Sequence, residues 1–211
     1  MGKGPVHSPR PGHRRWRAIG RLTACIAVIM LVLMGSGAAD QPAHQTAGAD
    51  GNVSSEQPNR EYLIKAAILY NFAKFTRWPA ESFESADAPL QLCVFGIDPF
   101  RDALATIDGK RVGSRNLRTR LIADTTMVDG CHLLFVSASE NERLADILAA
   151  TQGAAVLTVA DIPDFSRAGG IITLNIVEDR TRFDVNRLAA DQAGLKLSAK
   201  LLRLADTVIQ D

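Results

Sequence analysis

The sequence predicts a single-domain α/β fold: a mixed, mostly buried sheet flanked by helices, with a C-terminal hairpin and helices. Three observations predict it. Beyond residue 60, short apolar runs alternate with helix-patterned segments, as in layered α/β domains. Three of those runs, Leu90–Gly96, Cys131–Ser137 and Ala154–Ala160, are apolar on both faces, as parallel strands covered on both sides are. Two later strand-like runs meet at a two-residue turn, which makes the sheet mixed.

The chain first carries an address. Residues 1–39 hold six Lys or Arg, no acidic residue, and the apolar run Ala24–Met34, followed by the small residues Gly35-Ser-Gly-Ala-Ala-Asp40. This is the pattern of a secretory signal peptide over residues 1–39, with cleavage expected near Ala38 or Ala39. The run falls short of the ~20 residues that span hydrocarbon, so a permanent anchor is the weaker reading. Leu22-Thr-Ala-Cys25 resembles a lipoprotein box, but its cysteine precedes the apolar run instead of following it. Arg14-Arg15 resembles a twin-arginine signal, yet a basic leader often contains such a pair by chance. Residues 40–59, rich in Ala, Gly, Gln, Pro and Ser, predict a flexible linker, and the folded domain is placed at 60–208.

Removing the leader changes the charge. The chain has 24 basic and 23 acidic residues for a net +1; without the six basic residues of the leader, 18 face 23 and the charge is −5. That argues against a nucleic-acid partner. It also leaves two cysteines, Cys93 and Cys131. An isolated pair in an oxidising compartment invites a disulfide. Two free thiols buried in their apolar strands are the alternative.

Each element has its own warrant. Glu61–Phe75 lacks Gly and Pro, and Leu63, Ile64, Ala67, Ile68, Phe72 and Phe75 recur at helical spacing in a stripe wide enough for a largely buried helix. Trp78-Pro79 ends it, because the residue before proline is driven out of the helical region. Leu90–Gly96 is a strand, Phe100–Ile107 a short helix, and Lys110–Ile122 a strand whose alternation late on gives one wet face. Cys131–Ser137 is a second buried strand. Glu140–Ala150 is a helix with Ser139 as its N-cap. Ala154–Ala160 is a third buried strand, and Asp161–Gly170 is a loop. Ile171–Val177 and Arg180–Val185 form a hairpin about Glu178-Asp179. Asn186 caps a short helix that stops at Gly194, and Ser198 caps a last one with Leu201, Leu202, Leu204, Ala205 and Val208 on its apolar face.

Chemistry is scarce. The strand ends bring Asp98, Ser137, Ser139 and Asp161 towards one edge of the sheet, where open α/β sheets bind ligands. Carboxylates and hydroxyls there could hold a metal or polarise water, but Asp and Ser are also the ordinary residues of caps and turns. His132 is the one histidine of the predicted domain, and its neighbour Cys131 points to the opposite strand face. No nucleophile elbow, phosphate loop or dinucleotide fingerprint occurs, no zinc-ligand spacing is present, and no cofactor is expected. Binding surfaces are the stronger candidates. Trp78 and Phe83, past the first helix, could line a groove. Arg118 and Arg120 belong to a basic strip with Lys110, Arg111 and Arg115 that is either a solvated strand face or a contact for an acidic partner or headgroups. The candidate binding residues are therefore Trp78, Phe83, Asp98, Phe100, Arg118, Arg120 and Asp161.

Several segments together resemble the YfiR family of periplasmic regulators: Glu61–Pro79, Leu92–Phe100, Cys131–Ser137, Val156–Asp161, Gly169–Ile172, Arg182–Asn186 and Ala193–Ala205. The likeness spans about residues 60–208. It implies a compact α/β domain without enzymatic activity, in which Cys93 and Cys131 fall where the family carries a cysteine pair. A second, later pair known in the family has no counterpart here, since no cysteine follows Cys131. The resemblance further implies a partner, the periplasmic part of an inner-membrane diguanylate cyclase, which the protein would restrain. An outer-membrane lipoprotein would be a competing partner, and a homodimer is left open. A periplasmic small-ligand-binding domain, with its pocket at the strand-end crevice, is the second reading.

Overall fold

The computed structural model describes residues 56–177 and 180–210. The leader, residues 40–55 of the expected linker and the hairpin turn Glu178-Asp179 lie outside the described residues. The first helix, α1, runs Glu56–Phe75 and so begins four residues before the expected domain start at 60. It ends before the β-branched Thr76. Thr76–Arg77 (β1) is already extended and pairs antiparallel with Lys196–Leu197 (β9) as a separate two-stranded ribbon.

The main sheet has eight strands. Those following β1 are β2 (Leu90–Phe95), β3 (Arg111–Val112), β4 (Arg115–Ile122), β5 (Leu133–Val136), β6 (Leu157–Ala160), β7 (Ile172–Val177), β8 (Arg180–Asn186) and, after β9, β10 (Thr207–Ile209), in the spatial order β10-β8-β7-β6-β5-β2-β4-β3. From β4 to β7 every neighbouring pair is parallel, while β3 and β8 add antiparallel and β10 is parallel to β8. The expected mixed sheet is present, and β7 and β8 pair from Ile172 with Val185 to Val177 with Arg180.

Alternate side chains of the central strands enter two different cores, which is why their sequences are apolar throughout. Leu92, Val94, Leu133, Phe135, Leu157 and Val159 pack on Leu69, Phe72 and Ala73 of α1, together with Ala190 of α3 (Arg187–Gln192) and Leu201 of α4 (Ala199–Leu204). Cys93, Phe95, Leu134, Val136 and Ala160 pack on the other face, against Ile147 of α2 (Leu144–Ala150), Ile162 and Phe165. Gly170 sits hard against the Phe165 ring, in the space a Cβ would need.

Local details depart from expectation for identifiable reasons. Arg101–Thr106 is a 3-10 helix, as is Ala138–Arg143 before α2. Ser139 does not cap α2: its Oγ accepts from the Ile97 N–H (3.1 Å) and donates to Glu140 Oε1 (3.1 Å). The expected caps Asn186 and Ser198 do accept, from the N–H groups of Ala189 (2.9 Å) and Leu201 (3.2 Å). The last helix stops at Leu204, and Val208 lies in β10 instead, because Thr207-Val208-Ile209 is a β-branched triplet with an open strand, β8, to pair on.

Candidate functional site

The carboxyl ends of the parallel strands form the first candidate. Strand order reverses between β2 and β5, the position at which an open α/β sheet leaves a crevice. Here the chain fills it. A Cβ on Gly96 would meet Glu140 Cγ at 2.5 Å and Ser139 Oγ at 2.6 Å, and Glu140 itself pairs with Arg143 (3.2 Å). Asp98 turns back to accept from the Phe100 N–H (2.8 Å), and Phe100 is buried edge-on between Tyr62 and Phe135. Asp161, at the end of β6, takes Lys65 Nζ at 2.6 Å and the Tyr62 hydroxyl at 3.2 Å.

Lys65 is 3% exposed and also contacts Glu61 Oε1 at 2.5 Å. Burial works to lower its pKa, but the hydrogen bonds to Asp161 and Glu61 outweigh that and raise it. The Tyr62 phenol is pushed up by burial and by the Asp161 charge. Asp161 Oδ1 is buried without a partner among the described residues. The cluster clamps α1 onto the sheet, and among the described residues no group of His, Cys, Asp or Glu is arranged to hold a metal ion.

Trp78 and Phe83 meet elsewhere, around His132 just before β5. The Phe83 ring stacks on the imidazole (4.2 Å between centroids, 15° between planes), and the Arg115 guanidinium covers its ring at 3.6 Å. Trp78 Nε1 donates to the His132 carbonyl (3.0 Å). The Gln91 N–H donates to His132 Nδ1 (3.1 Å), so the proton sits on Nε2, which faces the Ser82 carbonyl at 3.0 Å. Burial lowers the His132 pKa, with the Arg115 charge adding to it against the Ser82 hydrogen bond.

The basic strip makes internal contacts while staying partly in solvent. Arg118 pairs with Asp108 (3.1 Å), whose carboxyl is held below its usual range chiefly by the Thr119 N–H. Arg115 holds the carbonyls of Ser85 and Ala88. Cys93 and Cys131 form a disulfide, and Arg120 lies along it: Nε is 3.2 Å from Cys93 Sγ, and Nη2 donates to the Met127 and Asp129 carbonyls. Among the expected residues, then, Phe100 joins Asp161 through Tyr62, Trp78 joins Phe83 through His132, and the two arginines act separately.

The structure adds a recess that the sequence reading did not single out. It is about 740 Å³ and lies between the C-terminal half of α1, the first half of β8, and α4. Ile68, Phe75, Phe183 and Leu204 give it an apolar lining, and Leu204 is 61% exposed. The signal was present in the width of the α1 stripe. Leu63 and Ile64 are also exposed, so the stripe exceeds what one core can cover.

The fold is a mixed α/β domain with a disulfide, a strand-end crevice occupied by Ser139 and Glu140, and an apolar recess at α1, β8 and α4. Residues 62–206 match the YfiR/HmsC-like family, and the chain belongs to it. Among solved structures, the chain is similar to a conserved domain protein from Vibrio cholerae O1 biovar El Tor strain N16961, at 10% identity and a TM-score of 0.43, over 56% of this chain and 54% of that one.

Proposed function

We propose that this protein is a periplasmic, non-enzymatic regulator that binds the periplasmic sensor part of an inner-membrane diguanylate cyclase and holds it inactive, lowering cyclic-di-GMP signalling and biofilm growth. The observation that carries this reading is the family match across residues 62–206, nearly all of the described domain. Among the described residues no helix is long and apolar enough to cross a membrane, and the leader pattern of residues 1–39 fits export. A repressor without chemistry acts by differential affinity: binding one state of its target shifts the target towards that state. A domain with two packed cores and an internal crosslink suits that task, and an outer-membrane lipoprotein competing for it would release the cyclase.

The test is genetic. Deleting the gene should raise cyclic-di-GMP and surface attachment, and a secreted copy should restore both. Unchanged cyclic-di-GMP after deletion, together with a metabolite bound by the purified protein, would replace this reading with the small-ligand-binding one.

A further inference from the structure

The recess between α1, β8 and α4 has three properties that together describe its occupant. The first is charge. Lys74, Arg180, Arg182 and Lys200 line it against one carboxylate, Asp206, which is already paired with Arg182 at 3.0 Å. Four cations converge there although the chain beyond residue 39 carries −5, so the local field opposes the global one. The second is the apolar lining, whose outermost member, Leu204, is mostly in solvent.

The third is a strand edge. Consecutive residues Arg180, Thr181, Arg182 and Phe183 all line the recess. Because successive side chains of a strand point to opposite faces, a recess touching all four wraps the edge of β8 and not one face of it. β10 pairs with Asp184–Asn186, and the Asp206 N–H just before it takes the Phe183 carbonyl (2.9 Å), so among the described residues the β8 edge away from β7 is open over Arg180–Arg182. An unpaired edge is a template for an added strand.

We infer that this recess receives an extended segment of the partner protein in which apolar side chains and carboxylates alternate along each face. The segment would run along the free half of β8 as a continuation of β10's place in the sheet. Its apolar side chains would cover Ile68, Phe75 and Leu204, and its carboxylates would meet Lys74, Lys200 and Arg180. A bilayer surface fits less well, because the cations surround a concave apolar recess instead of forming a flat face. The inference rests on the regulatory reading for the identity of the partner, and on the recess alone for its chemistry.

The test uses the full exported chain and three probes: a short peptide of Val-Val-Glu-Glu repeats, which shows both residue types on each face, its valine–lysine counterpart, and phosphatidylglycerol vesicles. The glutamate peptide should bind, weaken with added salt, and slow hydrogen exchange of the β8 amides. Reversing two rim charges (Lys74→Glu with Lys200→Glu) should weaken it at least about tenfold while the variant still folds cooperatively, its melt lowered only by the loss of the exposed cation–π contacts to Tyr70 and Phe75 and of the basic last turn of α1. Leu204→Asp should do the same from the apolar side. Equal binding of the lysine peptide, binding unaffected by either variant, or binding of vesicles alone would overturn the inference. In cells, folded recess variants that repress the cyclase normally would overturn it while leaving the regulator reading intact. A deletion without effect on cyclic-di-GMP, with the glutamate peptide still held at β8, would remove the regulator reading and leave the recess chemistry supported.

Discussion

His132 and Lys65 show how much a single buried polar group decides in this domain. His132 is kept neutral by burial, by the Gln91 N–H that donates to Nδ1 and by the Arg115 charge across the Phe83 ring, against the Ser82 carbonyl that accepts from Nε2. Its pKa is lowered from 6.5 in the folded state, so below that value the unfolded chain binds the extra proton first. The stability it contributes is complete above pH 6.5 and is lost as pH falls through the folded pKa. Urea unfolding should therefore show a midpoint that falls as pH drops below about 6.5, and His132→Gln should cost about 1–3 kcal/mol at pH 7.5 while flattening that slope. An unchanged slope in the variant would assign the pH dependence to other groups. Lys65 makes the opposite case, a charge kept buried by partners. Lys65→Met leaves Asp161 without its cation and should cost about 3–5 kcal/mol, most of which Lys65→Met with Asp161→Leu should recover. Denaturant melts of the two variants check this directly.

At the scale of elements, the crosslink ties the middle of β2 to Cys131, two residues before the adjacent parallel strand β5, closing a separation of 38 residues. Cys93→Ser should lower stability by about 2–5 kcal/mol. It should leave Cys131 as a thiol beside the Arg120 guanidinium, which favours its thiolate. Non-reducing peptide mapping of the native protein should give one linked pair, and full alkylation of both cysteines before reduction would count against the bridge. The same strands explain what was legible in the sequence. Runs such as Leu92–Phe95 and Leu133–Val136 serve two cores at once, so their composition alone places them in the buried middle of a sheet. Asn186 and Ser198 were readable as caps because the cap and the helix are neighbours in sequence. Ser139 was not, because its Oγ is claimed by Ile97, 42 residues away. Likewise Val208 carries the helical period of α4, but the vacancy beside β8 that draws it into a strand belongs to the sheet. The recess depends on three elements distant in sequence, and only the excess width of the α1 stripe announced it.

At the scale of the whole molecule, function depends on the side of the membrane on which this domain folds. The leader pattern and the proposed target both point to the periplasm, so a copy lacking residues 1–39 should fail to lower cyclic-di-GMP when the secreted copy succeeds. Failure alone has two causes, since the reducing cytoplasm also withholds the Cys93–Cys131 bridge. An exported chain carrying Cys93→Ser and Cys131→Ser separates them. With a real core on each face of the sheet, that chain should fold with reduced stability and still repress, at a lower steady-state level. Repression by the exported double variant but not by the leaderless chain assigns the effect to location. A leaderless chain that represses as well as the secreted one would place the target surface in the cytoplasm and overturn the periplasmic reading. Immunoblots of fractionated cells beside the cyclic-di-GMP measurement show where each copy resides and how much of it is present.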